Sequence, residues 1–404
     1  MEIQGKYGVA KSFTDNIEEG AVEQITNLLN QDFIKDSKVR IMPDVHQGVG
    51  CVIGFTAQMG DKLIPNIVGV DIGCGILTVE LGKVEIDLPK LDEIIRKSVP
   101  YGRNVHDGRK NHFDGLDKLY CYRDLKDTKR IEKSIGTLGG GNHFIEVNID
   151  SKGNKYLVIH SGSRNLGKQI ADIYQKLAVD LCSGKEEFFI KKEELIKNYK
   201  EKGKRKDINK ALKELSKKYE NIEPKYPKEL CYLKGVYRDR YLHDMKIAQE
   251  FAQINREIMA GSILNNLLAK DIDEFSYFHT IHNFIDFRDN IVRKGAISAY
   301  EGEKVLIPIN MRDGSILAKG KGNPDWNYSA PHGAGRLKSR TDAKQAFTLE
   351  DYVNSMEGIY STSVNEKTLD ESPFAYKSMD DIIGKIEDTV EVIDILKPIY
   401  NFKA

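Results

Sequence analysis

The chain has 404 residues, enough to bury a large core in one or two domains, and its 61 Lys+Arg balance 61 Asp+Glu, so any polyanion-binding surface must be local. Its cysteines, Cys51, Cys74, Cys121, Cys182 and Cys231, are odd in number and form no CxxC, which argues against a disulfide framework and for a reducing, cytoplasmic setting. The chain opens without an apolar signal core, and no run reaches the roughly 18 apolar residues of a membrane span.

FTDNIEEGAVEQITNLLNQDF, Phe13 to Phe33, pairs capping residues with apolar positions at helical spacing and predicts an amphipathic helix. From Val39 to Val84, short apolar runs punctuated by glycine predict strands and tight turns. A strand-like pair follows at His143 to Val147 and Tyr156 to His160. From about Ile170 to Lys270 the pattern is helical; its lysine-rich middle, Lys185 to Lys228, reads as a solvated hairpin or an RNA-facing arm. Strand patterning returns at Ala296 to Ala318, and a helix is predicted near Met379 to Leu396. The expected fold is α+β: a mixed β-sheet core with surrounding helices and a helical, lysine-rich insertion at about 170–270, in one functional domain over 1–404.

Asp71 and Cys74 lie three residues apart in VGVDIGCGI, where glycines let the backbone turn sharply and a carboxylate and a thiolate can converge. A buried structural cysteine would show the same pattern. His143 after GTLGGGN, His160 closing YLVI, and His282 within HTIHNFIDF each stand where an apolar run opens into a polar turn. The five residues form an O, S and N donor set suited to a divalent transition metal, sufficient for two ions if the thiolate bridges; softness alone favours zinc. His106 and His112 read as exposed loop residues, His243 and His279 as packing or surface residues, and His46 as a turn residue or substrate contact.

GTLGGGN, Gly136 to Asn142, is neither GxGxxG nor GxxxxGK[ST]; its N–H groups suit an anion, or a tight strand connection. SGSRNLGKQIAD sets Arg164 and Lys168 at a helix start, where anions are favoured. SAPHGAGRLKSR places Arg336, Lys338 and Arg340 after a glycine turn, and guanidinium forks suit phosphate. Taken alone, its His332 could be a metal ligand, a general base, a nucleophile or a turn residue.

MPDVHQGVG, VGVDIGCGI, GTLGGGNHFIEV, VIHSGSR, HNF and APHGAGR occur in this order between residues 42 and 340, and together they resemble the RtcB family of RNA ligases. The resemblance implies joining of RNA 3′-phosphate or 2′,3′-cyclic phosphate ends to 5′-hydroxyl ends, in tRNA splicing or RNA repair, with GTP and two manganese ions. Asp71, Cys74, His143, His160 and His282 would hold the metals, with Cys74 bridging, and His332 would carry the guanylyl group. Asn142, Glu146, Asn283, Pro308, Asn310, Met311, Ser315, Gly333, Ala334, Gly335 and Lys403 would meet the nucleotide, and Arg164, Arg336 and Arg340 the phosphates. The implied partners are GTP and RNA ends, from tRNA halves or damaged RNA. The stretch from Pro308 to Ser315 departs from the family's common Pro-Gly-Ser-Met-Gly, having gained Arg312 and Asp313. Two alternatives are a metal-dependent phosphoesterase that opens cyclic phosphates without ligating, and a non-catalytic RNA-binding protein with structural metals.

Overall fold

The computed structural model describes residues 1–58, 60–203, 205–219 and 223–403; residues 204 and 220–222 of the lysine-rich stretch lie outside the described residues. Runs rich in Val, Ile and Leu form the strands, since such side chains suit a pleated, buried surface. Gly75–Gly82 pairs antiparallel with Lys155–Ser161 on one side and Ser276–Ile281 on the other. Phe144–Ile149, Val390–Lys403, Gly314–Gly320 and Lys304–Asn310 extend this to a seven-stranded antiparallel sheet. A second, six-stranded sheet runs Glu2–Gln4, Val9–Ser12, Val39–His46, Ile53–Gln58, Ile291–Lys294, Asn283–Asp286, and a parallel pairing between Val9–Ser12 and Val39–His46 makes it mixed. Ala296–Ser298 and Ser329–Pro331 form a two-stranded ribbon. The architecture is α+β, as the sequence pattern predicts.

Strand register decides where the chemistry collects. Gly75 faces Ser161 on one neighbour and Ile281 on the other, while Phe144 faces His160. Cys74, His143, His160 and His282 therefore stand at one end of four adjacent strands. His282 is also where the chain leaves the seven-stranded sheet for the six-stranded one. The 34-residue helix Gly235–Leu268 backs the first sheet, burying Met259, Ile263 and Leu264 with Leu77, Val79, Ile145 and Leu157.

The lysine-rich stretch contains helices Glu186–Glu201 and Ile208–Lys217, which pack on each other without a fully buried residue of their own, in keeping with a solvated hairpin. Two other elements differ from expectation. The first helix covers only Glu19–Leu29 and has no side-chain cap, because Phe13 leaves the helical path to stack on Trp326 with ring centroids 3.6 Å apart. The helix expected to run to Leu396 ends at Ile386, and Val390–Lys403 is a 14-residue strand. The β-branched residues Val390, Val392, Ile393 and Ile395 suit a strand, and the segment fills the slot between Gly314–Gly320 and Phe144–Ile149, pairing with both. No helix among the described residues is long and apolar enough to cross a membrane.

Candidate active site and metal centre

All five predicted ligands converge. Cys74 Sγ lies 3.4 Å from His143 Nε2 and 3.3 Å from His160 Nε2. Asp71 Oδ2 is 3.1 Å from His143 Nε2, and the His160 and His282 Nε2 atoms are 3.4 Å apart. The donors fall into two sets, Asp71–Cys74–His143 and Cys74–His160–His282, each within 4.8 Å, with the cysteine common to both.

The surroundings orient these donors toward one another. His143 Nδ1–H donates to the Leu138 carbonyl at 2.9 Å and His160 Nδ1–H to the Asn142 carbonyl at 3.2 Å. A carbonyl only accepts, so both Nε2 atoms carry bare lone pairs. Fully buried Arg256 donates to the Gly73 and Ser161 carbonyls, both at 2.8 Å, and Asn255 ties Gly136, Thr137 and Gly162 together. A Cβ at Gly162 would lie 2.3 Å from Asp71 Oδ1, so glycine is required for the carboxylate to enter.

The set fits a metal. Lone pairs of two imidazoles, His143 and His160, converge on one thiol, the first also beside a carboxylate, while Asp71 Oδ1 and His282 Nδ1 are buried without a partner. Burial, then the neighbouring His143, holds His160 well below the usual imidazole range; burial and His332 do the same to His282. Burial and Asp71 push the Cys74 thiol up, an effect that a divalent cation would reverse.

His332 follows the ribbon strand Ser329–Pro331, its ring centroid 4.9 Å from that of His282. Its Nδ1–H donates to Asp44 Oδ2 at 2.6 Å, and its backbone N–H and that of Gly333 reach the same oxygen at 3.0 and 3.3 Å. Asp44 is fully buried, and a Cβ at Gly335 (φ +74°) would meet its carbonyl oxygen at 2.5 Å. Asp44 thus takes one ring nitrogen and leaves Nε2 with the lone pair. Asp44 lies in MPDVHQGVG, where nothing local shows that it faces His332, 288 positions away.

His160, His282 and His332 also line a cavity of about 280 Å³. Among the predicted nucleotide contacts, Asn142, Glu146, Pro308, Asn310, Met311, Gly333, Ala334, Gly335 and Lys403 line it, together with His46. Asn283 and Ser315 do not. The Asn283 amide binds the Asp71 carbonyl and the Gly295 N–H, supporting the metal turn, and Ser315 is buried in its strand. In the departing 308–315 stretch, Asn310 accepts from the Arg312 and Asp313 N–H groups and Arg312 pairs with Asp313, closing a self-contained turn. Burial pushes the Glu146 carboxyl up to about 7 against the opposing pull of Lys403 and Asn401.

The predicted phosphate arginines are partnered. Arg336 and Arg340 both contact Glu371, which also receives Lys403 and the Tyr376 hydroxyl; Arg340 reaches Asp370 at 2.8 Å as well. Neither carboxylate stood out in the sequence, because only tertiary contacts bring four polar groups to Glu371. Arg340 remains 47% exposed and borders a second cavity, about 460 Å³, with Gly141, Lys344 and Lys367. Arg164 is half-buried near Asp71 and Cys74, with its Nε on Thr137. Contrary to expectation, His106 is buried, with Nε2 on the Gly136 carbonyl at 3.2 Å; His112 is exposed as expected.

Metal donors on one sheet end and an anchored histidine on the wall of the same cavity are the build of a metal-dependent enzyme. Residues 24–124 and 120–404 match the family described as tRNA-splicing ligase RtcB, and the chain belongs to this family of RNA ligases. It is 30% identical to the RNA-splicing ligase RtcB of Escherichia coli K12, covering 96% of this chain and 95% of that protein. It is 25% identical to the tRNA-splicing ligase RtcB of Aeropyrum pernix over 84% of this chain and 82% of that one, and 24% identical to that of Archaeoglobus fulgidus over 96% and 91%.

Proposed function

We propose that this protein joins RNA 3′-phosphate or 2′,3′-cyclic phosphate ends to 5′-hydroxyl ends through a guanylylated His332, using GTP and two manganese ions. The observation that carries this is the tethering of His332: Nδ1 is held by buried Asp44, and the ring lines the cavity that His160 and His282 also line. Nε2 attacks the GTP α-phosphorus, the bond to pyrophosphate breaks, and Asp44 offsets the positive charge that develops on the imidazole. Asp71, Cys74, His143, His160 and His282 would hold manganese, which when bound would offset phosphate charge and align in-line displacement.

A 2′,3′-cyclic end is first opened by water, which breaks the P–O2′ bond; in the second step an RNA 3′-phosphate oxygen displaces His332 from the guanylyl phosphorus, and the P–N bond breaks. The 5′-hydroxyl of the other RNA then attacks the activated 3′-phosphate, and GMP leaves. Lys403 and Glu146, which line the cavity, would contact the nucleotide, and Arg340, shared by both cavities, would receive RNA phosphate with Lys344 and Lys367 beyond it. We read the whole chain as one functional unit, since the catalytic cavity draws residues from His46 to Lys403. The free cysteines agree with a cytoplasmic setting.

The test is incubation with α-labelled GTP and manganese. Labelled protein is expected from the wild type and none from His332→Ala. Unlabelled wild type together with unimpaired end-joining by His332→Ala would overturn the mechanism.

A further inference from the structure

Two cysteines stand apart from the catalytic site and bracket the lysine-rich hairpin. Cys182 ends the helix Arg164–Cys182, and Cys231 follows the short turn Lys228–Leu230 on the far side of the hairpin. Folding brings them together. The Cys182 carbonyl accepts from the Lys225 N–H at 3.2 Å, and its thiol lies 3.8 Å from the Tyr232 carbonyl. The Cys231 thiol is turned to the carbonyls of Tyr226 and Pro227 at 3.8 and 3.5 Å, and Tyr232, whose carbonyl the Cys182 thiol meets, is its next residue, so the two thiols are neighbours.

Their environments divide the roles. Cys231 is fully buried in the main core cluster, whereas Cys182 is half-buried at its edge, so Cys182 is the sulfur that an external reagent meets first. The neighbouring Cys231, with help from Lys234 and Lys62, holds the Cys182 thiol below the ordinary thiol range, and the same pairing pushes Cys231 up. By contrast, burial pushes the thiols of Cys51 and Cys121 up.

We propose that Cys182 and Cys231 form a reversible dithiol–disulfide site that clips the base of the hairpin when a low-molecular-weight disulfide, such as oxidised glutathione, is the oxidant. The Cys182 thiolate attacks one sulfur of that disulfide, whose S–S bond breaks and releases a first small thiolate. Cys231 gives up its proton and attacks the Cys182 sulfur of the mixed disulfide, breaking that S–S bond and releasing the second small thiolate. Two protein thiols are oxidised, one small disulfide is reduced to two thiols, and the two protons lost from the protein end on them. The product closes residues 182–231 into a covalent loop where the hairpin leaves the core.

The full-length protein should be incubated with oxidised glutathione, alkylated, and mapped by mass spectrometry without reduction. A Cys182–Cys231 cross-linked peptide is expected, with an intact mass lower by two hydrogens and reversal by dithiothreitol. Cys231→Ser should instead accumulate a stable glutathione adduct on Cys182, and Cys182→Ser should show neither product. Absence of the cross-link, a persistent wild-type adduct at Cys182, or a bond through Cys51, Cys74 or Cys121 in its place would overturn the proposal.

Discussion

His332 offers a single nitrogen for chemistry because Asp44 occupies the other, and the tether works through one carboxylate oxygen that accepts three N–H groups. Asp44→Asn keeps the shape but can present an N–H to Nδ1, which favours the wrong tautomer. Guanylylation by this variant should slow by roughly 10²–10⁴-fold with the fold intact, as read by label transfer and circular dichroism; a rate near wild type would show that the tautomer does not matter. Glu146 gives a pH signature. Its carboxyl is raised from an ordinary 4.5 to about 7 by burial, so its stabilising contribution is fully present below pH 4.5 and is lost as pH rises through about 7. Urea unfolding should show wild type losing about 3 kcal/mol relative to Glu146→Gln across that window. Parallel stabilities would mean that the carboxyl is ionised in the fold throughout.

Among the elements, the sheet strands and the hairpin carry opposite burdens. Gly75–Gly82 and Lys155–Ser161 are almost wholly buried and set the positions of the metal donors, whereas helices Glu186–Glu201 and Ile208–Lys217 bury no residue fully. Excising 186–217 and joining the ends through a short glycine–serine linker should therefore leave guanylylation within about twofold and shift Tm by only a few degrees, since little core is removed. A large loss of RNA end-joining with guanylylation intact would identify the hairpin as an RNA-facing arm. The helix Gly235–Leu268 has no such freedom, because its Asn255 and Arg256 reach the turns around Gly73, Gly136 and Gly162.

At the scale of the whole molecule, the candidate metal donors lie where the chain passes at His282 from the seven-stranded to the six-stranded sheet, and an ion held there would tie that junction to the first sheet. Manganese should raise Tm with the logarithm of its concentration above Kd, with about 2.7 kcal/mol of added stability at a hundredfold excess over Kd. Differential scanning fluorimetry checks this, and Cys74→Ala, which removes the donor common to both sets, should abolish most of the gain. An unchanged Tm in the wild type would argue against the site.

Much of this was legible in the sequence: the strand–helix–strand order, the hairpin, and the five donors with His332, because local patterns mark strand ends and glycine turns. The C-terminal strand differs from the expected helix because VEVIDIL fits either state until the edges of Phe144–Ile149 and Gly314–Gly320 are there to pair with it. Asp44, Glu371 and the Cys182–Cys231 pair had no local signal at all. Sequence alone determined which positions offer metal-donor or nucleophilic atoms beside turn glycines, since these are properties of single positions, and the family resemblance implied their roles. Only tertiary structure decided which carboxylate orients His332, which one collects Arg336, Arg340 and Lys403, and which thiols touch, since those pairings depend on strand register and sheet packing between segments far apart in the chain.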